Sequence, residues 1–333
     1  MSIEIRYGPQ GRRQGRTGGM DVVVVTPVLD DWDSLAMWID DLRCITTPSS
    51  TTTVVVVDDG SIQKIPPELL AQARSRGSCH VLQLKTNVGH QRAIAIGLAY
   101  VADAVHADWV AVMDADGEDP PSALASLLRT AEQNPDAIIL ATRGKRHEGW
   151  RFQTGYVAYR LAVRVGTGLH LNHGNFCVLP AHVVPRIVSM ESVWNHFGAT
   201  IELARDKKIS VRVDRGHRYR GTSRMNTIAL VNHGLAAMAA LADRLFVRML
   251  GLAAAALTMA MFALFFVVTV RTFTQSAIPG WATAAAGLAA VAALQAFTLV
   301  ATTTFAVLME RRAIDPPLDT VFRQFIASID KTS

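Results

Sequence analysis

At 333 residues the chain is long enough for two structural units. Its hydrophobic share of 50% is ordinary, but the last third holds most of the long apolar runs. The formal net charge of +5 suits an anionic partner such as nucleotide phosphates or lipid headgroups. No basic stripe with interleaved aromatics and no recognition motif is present, which argues against nucleic acid. Cys44, Cys79 and Cys177 are odd in number and widely spaced, so they indicate neither a disulfide framework nor a zinc site. They fit small apolar residues in a reducing compartment.

Residues 1–20 read as a flexible basic tail, rich in Gly and Arg and lacking the apolar core of a signal peptide. The β-branched run from Asp21 to Pro27 predicts a buried strand feeding a turn, and 33–44 an amphipathic helix. Thr53–Val57 predicts a second strand, ending in Asp58-Asp59-Gly60-Ser61. A helix over 67–76 and a strand over Val81–Leu84 follow. Asn87-Val88-Gly89-His90 opens a helix over Gln91–Ala102. The apolar run Trp109–Met113 is a fourth strand leading straight into Asp114. Pro120-Pro121 begins another helix, where a first-turn proline is tolerated, and Ile138–Ala141 is a fifth strand.

Strands alternating with helices predict an α/β fold with a mainly parallel sheet covered on both faces. Such sheets bind ligands beyond the carboxyl ends of their strands. Pro27, Asp58, Asp59, Asn87, Asp114 and Asp116 all fall there.

The apolar stretch at 225–244 carries scattered polar residues and predicts a helix in the bilayer interface, with a domain-packing helix as the alternative. Met249–Val270 and Thr272–Met309 are charge-free and each long enough to span a bilayer. Residues 245–310 thus form a two-helix hairpin turning at Pro279-Gly280. Arg244, Arg248, Arg311 and Arg312 flank it, against Arg271 alone in the loop, so both termini are expected in the cytoplasm, 311–333 being a cytoplasmic C-terminal segment. Ala284, Gly287 and Ala290 would suit homo-oligomeric packing between hairpins.

Two close carboxylates such as Asp114 and Asp116 repel unless a cation separates them or one is protonated. Their hard oxygens favour Mg²⁺ or Mn²⁺, with Glu118 as a third donor. Asp59 suits an imide N–H or ribose hydroxyls, or a turn cap. His147, Arg151, Arg160 and Arg164 form a basic region readable as a solvated or lipid-facing surface. His170 and His173 lack the carboxylates of a metal site.

Pro27-Val28-Leu29-Asp30-Asp31, VDDGS at 57–61, Asn87-Val88-Gly89 and DADGEDPP at 114–121 resemble the successive motifs of inverting family-2 glycosyltransferases with the GT-A fold. Arg143, GNFCVLP at 174–180, the segment Arg218–Arg224 and the terminal hairpin narrow this to polyprenyl-phosphate glycosyltransferases. The resemblance implies a GT-A catalytic domain over 21–224 that takes a nucleotide-sugar. Pro27, Asp31, Asp59, Asn87 and Asp114 would bind the nucleotide, and Asp114, Asp116 and Glu118 the metal. Asp116, Arg143 and Asn175 would stand at the reaction centre, and Arg143, Arg218, Arg220, Ser223 and Arg224 would face the acceptor phosphate. Leu29-Asp30-Asp31, Glu118 and Asn175 depart from the usual motifs, Asn175 replacing a frequent Asp.

A hydroxyl acceptor benefits from a general base, whereas a polyprenyl monophosphate is already ionised. Asn175 therefore fits a phosphate acceptor. UDP is the favoured nucleotide and GDP the next. The alternatives are a transferase acting on a glycan or glycolipid hydroxyl, and an inactive sugar-nucleotide-binding scaffold.

Overall fold

The valine runs of the first two expected strands form the centre of one sheet. A computed structural model describes residues 20–42, 51–74, 77–143, 173–220, 239–274, 280–310 and 318–332. In chain order the first part contains β1 (Asp21–Val28), α1 (Trp32–Leu42), β2 (Thr51–Asp58), α2 (Pro67–Arg74), β3 (Ser78–Leu84), α3 (His90–Ala104), β4 (Trp109–Val112), α4 (Pro121–Gln133) and β5 (Ile138–Arg143). It continues with β6 (His173–Pro180), α5 (Val184–Val188), α6 (Phe197–Leu203) and β7 (Lys208–Val213). After two long helices, α7 (Ala242–Phe273) and α8 (Trp281–Glu310), come α9 (Leu318–Val321) and β8 (Ile326–Thr332).

The eight strands lie in the order β7-β5-β6-β4-β1-β2-β3-β8. Pairs β1/β2, β1/β4, β2/β3 and β5/β7 are parallel, while β4/β6, β5/β6 and β3/β8 are antiparallel. The sheet is thus mixed and mostly parallel. Alternation along each strand sends successive side chains to opposite faces. Val23, Val25, Val55 and Val57 pack with Ile94 and Leu98 of α3 on one face. On the other, Val22, Val24 and Val56 pack with Leu35 and Trp38 of α1 and Leu124 and Leu127 of α4. Burial on both faces explains why the central strands read as continuous apolar runs. Cys79 and Cys177 are free and buried, and burial pushes the Cys79 thiol up to about 11, as inert core residues require.

Within the segment expected after the hairpin, residues 318–325 are helical and 326–332 join the sheet. Leu318 and Phe322, one helical turn apart, are buried in the α3 face of the core. β8 then runs antiparallel along β3, from Ile326 opposite Leu84 to Thr332 opposite Cys79. An edge strand buries little, so it leaves a faint apolar pattern: Ile329 is 41% exposed.

The chain divides into two compact units, the second comprising Trp150–His170 and Leu241–Asp315. Its described part is the pair α7 and α8. Within Arg244–Phe273 and Trp281–Thr304, 18-residue stretches reach mean hydropathies of 2.3 and 1.9. At 1.5 Å per residue even the shorter is roughly 36 Å long, enough for a bilayer core of about 30 Å. Phe262, Phe265, Phe266, Leu288, Leu294 and Phe297 are exposed on these helices, the pattern of helices solvated by lipid. Residues 1–19 of the expected basic tail and most of the expected interfacial helix lie outside the described residues.

Candidate active site

Parallel β1, β2 and β4 end side by side, and the turns after them build the site. Asp30 adopts a positive φ of 47° after β1. Its N–H donates to Ser61 Oγ at 2.9 Å, and its carboxylate accepts from Gln63 N at 3.0 Å. Asp58 Oδ1 accepts from Ser61 N at 2.9 Å, closing an Asx turn. Pro27 sits in β1, and Asp31 precedes α1, its Oδ1 3.4 Å from Ser34 N.

Asp59, read for the nucleotide or for a turn cap, is engaged by the chain itself. Its two oxygens accept from Val88 N at 2.7 Å and Gly89 N at 3.0 Å, and the residue is only 3% exposed. It therefore holds the Asn87–Gly89 loop that leads into α3, while Asn87 itself is exposed. Burial pushes the Asp59 carboxyl above the usual carboxylate range, against the pull of these two N–H donors. Asp59→Ala removes charge-assisted bonds worth about 2–3 kcal/mol. Amide hydrogen exchange at Val88 and Gly89 is expected to accelerate, and unchanged exchange would contradict the clamp.

Beyond β4, Asp114 N donates to Asp119 Oδ2 at 3.2 Å and Glu118 N to Asp116 Oδ1 at 2.9 Å. Burial, then the charge of Asp114, pushes the Asp116 carboxyl above its usual range, with Arg218 and the Glu118 N–H opposing. Segment 215–220 lies over this turn. Gly216 N donates to Glu118 O at 3.1 Å and Tyr219 N to Asp116 O at 2.9 Å. Arg218 pairs with Asp116, and Arg215 with Glu118. The segment is tied to α1 as well, Arg220 pairing with Asp33 at 2.7 Å and Tyr219 Oη donating to Asp41 at 2.5 Å.

Gly117 makes the close approach feasible. Its φ is +90°, and a Cβ there would lie 2.6 Å from His217 O and 2.8 Å from the Tyr219 ring. Gly117→Ala is expected to cost about 2 kcal/mol and to lift Arg218 off Asp116. Thermal unfolding and transfer assays would register both effects.

The carboxylates fit a hard divalent cation in chemistry: Asp114 and Asp116 are close enough for one to raise the other's pKa, a cost that a cation would relieve. The expected trio with Glu118 is not assembled, because Glu118 pairs with Arg215. Among the described residues no group of three acidic, His or Cys side chains is placed to hold a metal. Water and donor oxygens would complete the shell.

The expected acceptor residues divide similarly. Arg218 and Arg220, expected on a phosphate, are paired with Asp116 and Asp33. Arg143 ends β5, and its side chain, with Ser223 and Arg224, lies outside the described residues. Asn175 lies in β6, with Nδ2 3.0 Å from His90 Nε2.

Sequence reasoning missed His90 and Gln91 as site residues. His90 Nε2 is also 3.3 Å from Asp114 Oδ1, with its side chain 46% exposed. Burial disfavours the imidazolium, but Asp114, Asp116 and Asp59 together prevail and raise its pKa. The signal was present: both residues follow Asn-Val-Gly at the ligand edge, on the first turn of α3.

The fold and this edge define an α/β domain whose ligand edge sets carboxylates beside arginines. Residues 23–183 match the family model for Glycosyl transferase family 2. An undecaprenyl-phosphate 4-deoxy-4-formamido-L-arabinose transferase of Photorhabdus laumondii is 26% identical over 218 residues, covering 63% of this chain and 65% of that protein. A protein of the same name from Pseudomonas paraeruginosa is 32% identical over 128 residues, 38% of this chain and 36% of that protein. The chain thus matches less than two thirds of the length of these relatives. Among solved structures, glucosyl-3-phosphoglycerate synthase from Mycobacterium tuberculosis, in complex with Mn²⁺, UDP-glucose and phosphoglyceric acid, superposes with a TM-score of 0.50 at 15% identity. That match covers 68% of this chain and 80% of the other, and the shared fold is GT-A.

Proposed function

We propose that the chain transfers a sugar from a nucleotide-sugar, UDP-linked in preference to GDP-linked, to a polyprenyl phosphate at the cytoplasmic face of a membrane. The observation that carries this reading is the arginine-bearing segment 215–220 laid over the Asp114–Asp116 turn. It brings cationic groups for a second anion beside the carboxylates of a donor site. Relatives named as undecaprenyl-phosphate sugar transferases support the acceptor. The two membrane-length helices support a lipid substrate.

Pro27, Asp31 and Asn87 would line the nucleotide pocket, with Asp59 fixing the Asn87 loop. Asp114 and Asp116, joined by Glu118 on release from Arg215, would hold Mg²⁺ or Mn²⁺, which supplies neutralisation of the departing nucleoside diphosphate. Arg143, Arg218, Arg220, Ser223 and Arg224 would hold the acceptor phosphate. An oxygen of that phosphate, already ionised, attacks the anomeric carbon as the bond to the diphosphate oxygen breaks, inverting the configuration. No general base is required, consistent with Asn175 in β6.

Connectivity supports the membrane topology. The chain leaves the sheet-bearing unit, forms α7 and α8, and returns to the same sheet as β8. An even number of crossings satisfies that path, with both ends on the catalytic side, in agreement with the arginine asymmetry. The test is a screen of UDP- and GDP-sugars with purified full chain, Mn²⁺ or Mg²⁺, and undecaprenyl phosphate. Formation of a lipid-phosphate-sugar is expected; transfer only to hydroxyl-bearing lipids or glycans would reject the acceptor.

A further inference from the structure

Three side-chain amide and main-chain contacts form a directed chain beside Asp114. Phe197 N–H, at the start of α6, donates to Gln91 Oε1 at 2.8 Å. Gln91 Nε2 donates to Asn175 Oδ1 at 3.2 Å, and Asn175 Nδ2 lies 3.0 Å from His90 Nε2. An amide's oxygen and nitrogen look alike in shape, so a hydrogen-bond network must decide which way each points. Here the decision starts from a main-chain N–H, which only donates. The Gln91 atom facing it must be oxygen, so its nitrogen faces Asn175. The Asn175 atom meeting that nitrogen must be oxygen, and its NH₂ group is turned toward His90. This polarity is set from the main-chain end, and the NH₂ donates to His90 when Nε2 carries no hydrogen.

We propose that Gln91 is a positioning residue that locks the Asn175 amide with its NH₂, and not its carbonyl, toward the reacting groups. Asn175 then acts as a hydrogen-bond donor to an acceptor that arrives as an anion. An NH₂ group carries two hydrogens, so one contact with His90 leaves the other for a ligand oxygen. A carbonyl in the same place would repel a phosphate, and an alcohol would find no base. The device thus selects an ionised oxygen acceptor over a hydroxyl. The inference rests on the transferase reading above.

The test is a double-mutant cycle with the full chain in detergent, a UDP-sugar donor and undecaprenyl phosphate. Gln91→Met is nearly isosteric and neutral but neither accepts from Phe197 nor donates to Asn175. It is expected to raise the acceptor KM roughly tenfold and leave the donor KM within about twofold. In an Asn175→Ala background the same substitution is expected to leave the acceptor KM unchanged, since there is no amide left to orient. Should Gln91→Met fail to fold, Gln91→Glu keeps the Phe197 bond while removing the donor to Asn175. It is expected to raise acceptor KM by clearly more with Asn175 present than absent. Equal effects in both backgrounds, or loss spread equally over both substrates, would overturn the positioning role. Absence of wild-type transfer to undecaprenyl phosphate would instead contradict the proposed function, and with it the anionic acceptor assigned to Asn175.

Discussion

Asp116→Ala should lower sugar transfer by roughly a thousandfold while leaving the two apolar helices in the membrane. Asp116 faces Arg218, accepts from the Glu118 N–H and is pushed toward protonation by burial and by Asp114. In the proposed reaction it would hold, with Asp114, the cation that neutralises the departing diphosphate. Removing its carboxylate also frees Arg218 and loosens segment 215–220, so donor-side and acceptor-side groups are lost together. Membrane fractionation and thermal unfolding separate this from misfolding. Turnover within tenfold of wild type would reject the assignment of the Asp114–Asp116 turn.

The second large effect concerns the C-terminus. Phe322 is 2% exposed and Leu318 7%, both packed in the core on the α3 face. Phe322→Ala should cost about 3–5 kcal/mol, lowering Tm by roughly 10 °C for a unit of this size. Deleting residues 318–333 should cost more, because β3 then becomes an edge strand and the α3 face of the core is uncovered. His90 and Gln91 stand at the start of the same helix, so transfer should fall with stability. Wild-type Tm in the truncated chain, followed by tryptophan fluorescence, would contradict the placement of β8.

Most of the sheet was legible because its central strands are buried on both faces. Val22–Val25 and Val54–Val57 admit no other reading once turn residues follow them. The Asp114–Asp116 turn was legible for the same reason: a strand fixed its position at the ligand edge. β7 was overlooked although Ile209, Val211 and Val213 alternate, its half-exposed face making the run shorter in apolar residues. β8 left still less trace. The roles within the site were harder to read than its location. Asp59 was read for the nucleotide or a turn cap, and its oxygens accept from the Val88 and Gly89 amides. Arg218 was expected on a phosphate, yet the fold sets its guanidinium against the Asp116 carboxylate. Pairings between residues about a hundred positions apart follow from the fold, and no local pattern announces them. The link from Gln91 to Asn175 and Phe197 is of that kind.

The proposed reaction is an in-line attack by a lipid phosphate on the sugar's anomeric carbon. Proton and phosphorus NMR of the product, made from an α-linked UDP-sugar and undecaprenyl phosphate, tests it most directly. A β-configured sugar joined through a single phosphate to the lipid is expected. An α-configured product, or a sugar carried on a hydroxyl without a phosphate linkage, would contradict it.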